Sequence, residues 1–138
     1  MTRLNRTLTL CVVLAGGTLM LSSNARSQTA TGATVEKTVV SRADSSVPGR
    51  EAIGIAVVIP PGAETGRHTH PGDEIDYVLE GTGELVMDGH APLPMKPGAS
   101  NIIPGGTVHN ARNTGTQPLK VWAVLHVEKG KPLTVDIK

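Results

Sequence analysis

From Arg50 onward the chain is a series of short apolar runs broken by turn residues. Ile53–Ile59 stops at Pro60-Pro61-Gly62, and Ile75–Leu79 is followed by Gly81-Thr82-Gly83. Glu84–Met87 leads into Asp88-Gly89, a hairpin-type dipeptide. Ile102-Ile103 precedes Pro104-Gly105-Gly106, and Asn113-Thr114-Gly115 precedes the strand-like Leu119–Val127. No stretch of ten or more residues keeps a helical period without a Gly or Pro interrupting it. After Ala25, Val and Ile outnumber Leu by 20 to 6. Branching at the β-carbon restricts χ1 and favours strands over helices. Many short strands at turn spacing predict an all-β fold, a single small sandwich or barrel over residues 50–138. Residues 26–49 are rich in Ser, Thr and Ala, with one extended stretch at Thr34–Val40. They read as a flexible segment carrying a possible edge strand. A barrel this small leaves edges that a second copy would cover, so a homodimer is expected.

The first 25 residues follow another pattern. Arg3 and Arg6 precede a mostly apolar run, Leu8–Leu21, and small residues stand at Ser23 and Ala25. A basic start, a short apolar core and a small-residue site describe a secretory signal peptide cut after Ala25. The run is shorter than the roughly 20 apolar residues of a membrane span and contains Thr9, Gly16, Gly17 and Thr18. An uncleaved anchor and a buried N-terminal helix are the competing readings. Cleavage would leave a periplasmic or secreted protein with no membrane attachment. It would remove Cys11, the single cysteine, and turn the formal charge from +1 to −1. No disulfide framework or CxxC site is then available. With one Trp, one Tyr, no Phe and no block of like charges, neither base stacking nor a basic footprint for nucleic acid is present.

The chemistry concentrates in two segments. In Gly62–Glu74, His68 and His70 are two apart on an extended stretch, which puts both imidazoles on one face. Their Cα atoms would be roughly 6.6 Å apart, which lets two ring nitrogens converge on one ion at about 2.0–2.2 Å. Pro71-Gly72 then makes a turn, and a hairpin would return the carboxylate of Glu74 to the same face. Alone, such a pair is more often surface polarity beside a turn. In the second segment, Gly98–Asn113, His109 follows the tight Pro104-Gly105-Gly106 turn. A ligand from that distant strand would close a site of three histidines and one carboxylate.

These two segments resemble the two conserved motifs of the cupin superfamily. Gly62, His68, His70, Glu74 and Gly81 match the first without a gap. Gly98, Pro104, Gly106, His109 and Asn113 match the second, and the spacer Thr82–Pro97 is short, as in small single-domain bacterial cupins. One departure is visible: many relatives carry Asp after the first glycine of the second motif, where this chain has Ala99. The resemblance covers about Glu51–Val127. It implies a jelly-roll β-barrel (a double-stranded β-helix) in which His68, His70, Glu74 and His109 bind one divalent metal ion.

Four protein ligands leave one or two positions on such an ion for water, substrate or dioxygen, which marks a catalytic rather than a closed site. His/Glu ligation does not choose among Fe, Mn, Ni, Cu and Zn. Asp76, two residues past Glu74, should share its face and serve as a catalytic proton acceptor or orient a ligand histidine. The alternative is a shifted register at the barrel mouth, with Asp76 solvated or paired with Arg67 or Arg112. Tyr77 reads as packed, and Met87 and Met95 as core fillers. His90 reads as a solvated loop residue, and Trp122 and His126 as a pocket wall or a dimer or inter-sheet contact. The leading expectation is an exported metal-binding cupin acting on a small organic molecule, as a dioxygenase or related oxidoreductase. Scarce aromatic surface, Tyr77 and Trp122 alone, favours a small or aliphatic anion. A non-catalytic binding or sensing protein and a metal-dependent isomerase or lyase share the same fold and ligands.

Overall fold

A computed structural model describes residues 34–138. The expected signal peptide, residues 1–25, and Cys11 lie outside the described residues. Ten strands and no helix make up the described chain: β1 (Glu36–Asp44), β2 (Arg50–Ile59), β3 (His68–Thr69), β4 (Gly72–Glu80), β5 (Gly83–Met87), β6 (Leu93–Met95), β7 (Ser100–Ile103), β8 (His109–Arg112), β9 (Leu119–Glu128) and β10 (Val135–Asp136). They form two five-stranded antiparallel sheets, ordered β1-β2-β9-β4-β7 and β10-β3-β8-β5-β6. This is the jelly-roll arrangement implied by the two motifs. β1, exposed on both faces, is the outer strand of the first sheet and overlaps the extended stretch Thr34–Val40 read from the sequence as a possible edge strand.

Strict alternation in β9 builds the core. Leu119, Val121, Ala123, Leu125 and Val127 point inward and are buried, while the residues between them face out. Opposite them in register stand Ile59, Val57, Ile55 and Ile53 of β2. Leu85, Met87 and Met95 of the second sheet close one end of the core. Each fully buried side chain of this size contributes roughly 1.5–3 kcal/mol. Trp122 points the other way, so its ring lies over Gly54 on the outer surface, where a β-carbon would overlap it. His126 also faces out, its Nε2 2.9 Å from Ser45 Oγ. Neither residue lines the cavity inside the barrel. Tyr77, expected to be packed, is 47% exposed on the outer face of β4 beside Ile75 and Leu79.

The two motifs fasten the barrel's halves together. Their first glycines, Gly62 and Gly98, take φ values of 75° and 85°, which L side chains rarely adopt. Gly62 N–H donates to the Asn113 carbonyl, and Thr65 N–H to Ala111, so the stretch before His68 runs along β8. Asn113 is buried; its Nδ2 donates to the Ile59 and Gln117 carbonyls at 2.7 and 2.8 Å, and its Oδ1 accepts from Gly115 N–H. In the second motif, Gly106 N–H donates to the His70 carbonyl and Gly105 N–H to Asp73 Oδ1. The Pro-Gly-Gly turn therefore pins the segment on which the chain crosses between sheets.

Candidate metal centre

The structure brings His68, His70, Glu74 and His109 together inside the barrel. His68 on β3 and His109 on β8 are direct cross-strand partners in the second sheet. His70 lies on the crossing segment, and Glu74 belongs to β4 in the facing sheet. The hairpin expected between His70 and Glu74 is absent. Pro71 carries the chain from one sheet to the other, so the carboxylate approaches from across the barrel instead of along the same sheet. That crossing starts at Gly72, where a β-carbon would overlap the His126 carbonyl and the Val127 Cα.

The three imidazoles are buried with ring centroids 4.3–5.2 Å apart. One nitrogen from each lies within 4.8 Å of the others. Two ligands across one ion at about 2.1 Å span about 4.2 Å, so the cluster is near closure on a metal. Backbone carbonyls set the tautomers. His68 Nδ1–H donates to Gly66 O at 2.7 Å, His70 Nδ1–H to Leu133 O at 2.6 Å, and His109 Nδ1–H to Thr107 O at 3.0 Å. A carbonyl can only accept, so a neutral ring held this way carries its proton on Nδ1 and offers the Nε2 lone pair inward.

Glu74 completes the cage. Its Oε2 is 3.1 Å from His70 Nε2 and 3.2 Å from His109 Nε2, yet with neutral rings this buried oxygen receives no hydrogen bond. Lone pairs then face lone pairs, an arrangement that requires a cation in their midst: a proton on a ring or a metal ion. The acid–base balance reflects the same crowding. Burial pushes the Glu74 carboxyl up, but His109 and His70 outweigh it and hold it at about 2. Burial drives His68 down to about 4, with the charges of His109, Lys37 and His70 acting in the same direction. For His109 burial acts downward too, but Glu74 and the Thr107 carbonyl prevail and raise it. His68 is thus ready to ligate at neutral pH, and His109 is the ring whose protonation its surroundings favour. A divalent ion fits this donor set, replacing that proton.

Asp76 lies in the same cavity, two residues along β4 from Glu74, and is 2% exposed. Arg67 and Arg112 instead pair with Asp88 and Glu84 on the surface. Asp76 Oδ1 accepts from both Asn101 N–H and Asn101 Nδ2 at 2.9 Å. Oδ2 accepts nothing from the protein among the described residues. Burial raises the carboxyl's pKa, the two Asn101 hydrogen bonds oppose, and the charge of Glu74 raises it further. A buried carboxyl with one free oxygen can hold or hand over a proton.

The cavity around these groups holds about 130 Å³, room for about four waters at about 30 Å³ each. Its walls are aliphatic, from Ile55, Val57, Val121, Leu125 and Ile103, with Met95 at one end and Thr65 and Thr134 as hydroxyls. Tyr77 and Trp122, the only aromatic surface in the sequence, are both outside it, so a ligand meets no aromatic ring beyond the imidazoles. His90 is exposed, and Met87 and Met95 are core residues.

Several contributors are not evident from motif spacing. Asn101 is 25 residues from the carboxylate it holds, and the Gly66, Leu133 and Thr107 carbonyls carry no side-chain signature. Lys37 also lines the cavity. Its signal was present: in Val35-x-Lys37-x-Val39 a lysine occupies the face that its neighbours make apolar.

The comparisons with known proteins agree with this architecture. A model of the cupin domain (Cupin_2) matches residues 56–128. The chain is 37% identical over 68 residues to an oxalate-binding protein of Thermotoga maritima, covering 49% of this chain and 55% of the relative. It is 36% identical over 66 residues to an acireductone dioxygenase of Rhodopseudomonas palustris, covering 46% and 40%. The chain thus spans about half the length, or less, of these curated relatives. Among solved structures, a double-stranded β-helix protein of Klebsiella pneumoniae superposes with a TM-score of 0.63 at 21% identity, over 78% of this chain and 89% of that one. That likeness concerns the fold alone.

Proposed function

The chain belongs to the cupin family, and from that premise we propose that it is a metal-dependent enzyme, dioxygenase-like, acting on a small anionic organic molecule. The observation that carries the reading is the buried Glu74 Oε2 held 3.1 and 3.2 Å from the Nε2 atoms of His70 and His109, a grouping that calls for a cation among them. His68, His70, His109 and Glu74 would hold one divalent ion, whose identity among Fe, Mn, Ni, Cu and Zn is open. Such an ion supplies Lewis acidity toward a carboxylate or enolate oxygen and, when redox-active, electrons for dioxygen chemistry.

The remaining chemistry falls to the chain's own residues. Three neutral imidazoles and one carboxylate leave the centre with a single positive charge, which favours an anionic ligand. The aliphatic walls exclude water from it and strengthen that attraction. Asp76 Oδ2 faces the same space and takes or returns the substrate's proton, while Asn101 fixes the carboxyl's orientation through Oδ1. Export by the N-terminal signal is part of the proposal and rests on the pattern of residues 1–25. Sequencing the N-terminus of the mature protein checks it.

A second reading, a cupin that only binds or senses its ligand, draws on the aliphatic lining and on the likeness to an oxalate-binding protein. Asp76 favours the enzyme, because a binding site gains nothing from a buried carboxyl with a free oxygen. The test is oxygen uptake and product analysis with metal-loaded protein and a panel of small hydroxy-, keto- and enolisable carboxylates. Turnover that disappears in Glu74→Gln and Asp76→Asn supports the enzyme. Unchanged ligands with every metal tried contradict it.

A further inference from the structure

Lys37 stands where the fold has no structural need for a charge. Just before β1, Val35 packs against the core, while Lys37 and Val39 on the strand line the cavity. Lys37 opposes Val57 across β1–β2, and Val57 opposes Val121 across β2–β9, so the lysine heads a row of cavity-lining residues. Both Lys37 and Val39 are solvent-exposed although they line the cavity, which places them at its mouth. Histidines aside, Lys37 is the single cationic residue of the lining. Among the described residues it forms no ion pair, whereas Lys120 and Lys129 are matched with Glu80 and Asp44.

An inward lysine on an edge strand can also serve to block pairing with another chain. β1 already carries a second such device, the bulge between Val39 and Ser41. Edge protection explains a lysine on β1 but not its position over the cavity. A cation held at the mouth of an apolar pocket, with a positively charged centre at its base, matches a ligand that is anionic at both ends.

We propose that Lys37 selects the far end of the ligand, and that the site takes a small aliphatic dianion with one carboxylate at the His/Glu centre and the other at the Lys37 ammonium. This rests on the reading of the His/Glu cluster as a metal centre. The ammonium repels a ligand with a cationic tail and gives a neutral tail nothing in exchange for its water.

Three four-atom-scale probes separate these cases: succinate, butyrate (an uncharged end) and β-alanine (a cationic end). Their binding to zinc-loaded protein is measured by calorimetry, with metal uptake and thermal unfolding recorded for every variant. Succinate should bind about tenfold more tightly than butyrate, with β-alanine weakest. Lys37→Gln should bring succinate and butyrate within about twofold, Lys37→Arg should keep the wild-type order, and Lys37→Glu should reverse succinate and β-alanine. All variants should take up metal as the wild type does. Wild-type protein that takes up no zinc overturns the metal reading and this assignment with it. Zinc-loaded protein whose order is indifferent to residue 37, or that binds none of the probes, overturns the Lys37 assignment alone.

Discussion

Replacing Asp76 by Asn should stabilise the metal-free protein while abolishing turnover. Both Asn101 donors converge on Oδ1, and an amide oxygen can accept both bonds at the same 2.9 Å. The amide nitrogen would replace Oδ2, which has no protein donor to lose. What the substitution removes is a carboxylate 2% exposed to solvent, disfavoured first by burial and then by the charge of Glu74. Desolvation of a polar group without full compensation costs roughly 1–3 kcal/mol. Because two hydrogen bonds already offset part of it, a gain of about 1 kcal/mol at pH 7 is expected, or about 4–8 °C in Tm for a domain of this size. The sign with pH follows from linkage. A carboxyl whose folded pKa is raised binds its proton more tightly folded than unfolded, so the wild type recovers stability as pH falls. The advantage of Asn should therefore be largest at neutral pH and vanish below 3.8, the ordinary value for Asp. Calorimetric unfolding of metal-free wild type and variant between pH 4 and 8 measures it. A variant less stable than wild type at pH 7, or an advantage that grows on acidification, would refute the reasoning. A stabilised variant with full metal uptake and no turnover would mark Asp76 as kept for function at the expense of stability.

Three further outcomes are expected. Asn113→Ala should destabilise by about 2–4 kcal/mol, because it strands the Ile59 and Gln117 carbonyls, but should leave metal stoichiometry intact in the folded fraction; denaturant unfolding with metal analysis separates the two. Metal-free Asp76→Asn protein, in which the opposing Asp76 contribution is gone, should lose stability as pH falls from 6.5 to about 4, because unfolded His68 takes up a proton that the folded state refuses; a flat Tm across that window would contradict this cause. Ile75, Tyr77, Leu79 and Ile102 expose 46–67% of their surface on one outer face, so the expected homodimer should use it; sedimentation should find wild type dimeric and Ile102→Asp monomeric, and a monomeric wild type would dismiss the dimer.

Much of the fold was legible because its longer strands carry their own signal. β2, β4, β5, β7 and β9 each contain a β-branched or alternating run bounded by Gly or Pro. β6 and β10 were not foreseen as strands, and β3 and β8 only as extended stretches carrying the histidines, since two to four residues are too few to display a period. They exist because neighbouring strands supply partners, His109 for His68 and Thr69 for Val135. The spacing of His68, His70, Glu74 and His109 pointed to one cluster, but not to its assembly from two facing sheets. Turn chemistry at Pro71-Gly72 looks the same whether the chain reverses within a sheet or crosses between sheets. Burial decided the aromatic residues: with Gly54 leaving room outside, Trp122 covers the outer face of β2, and Tyr77 follows the pleat outward next to Asp76. Asn101 escaped notice because its role depends on the pairing of β4 with β7, a contact between residues far apart in sequence.

The most direct test of the metal centre is elemental analysis of protein produced in its native cells, set beside His109→Ala. The expected result is one equivalent of divalent metal per wild-type chain and a loss of most of it in the variant. Metal-free wild type, or a His109→Ala protein that keeps a full equivalent, would contradict it.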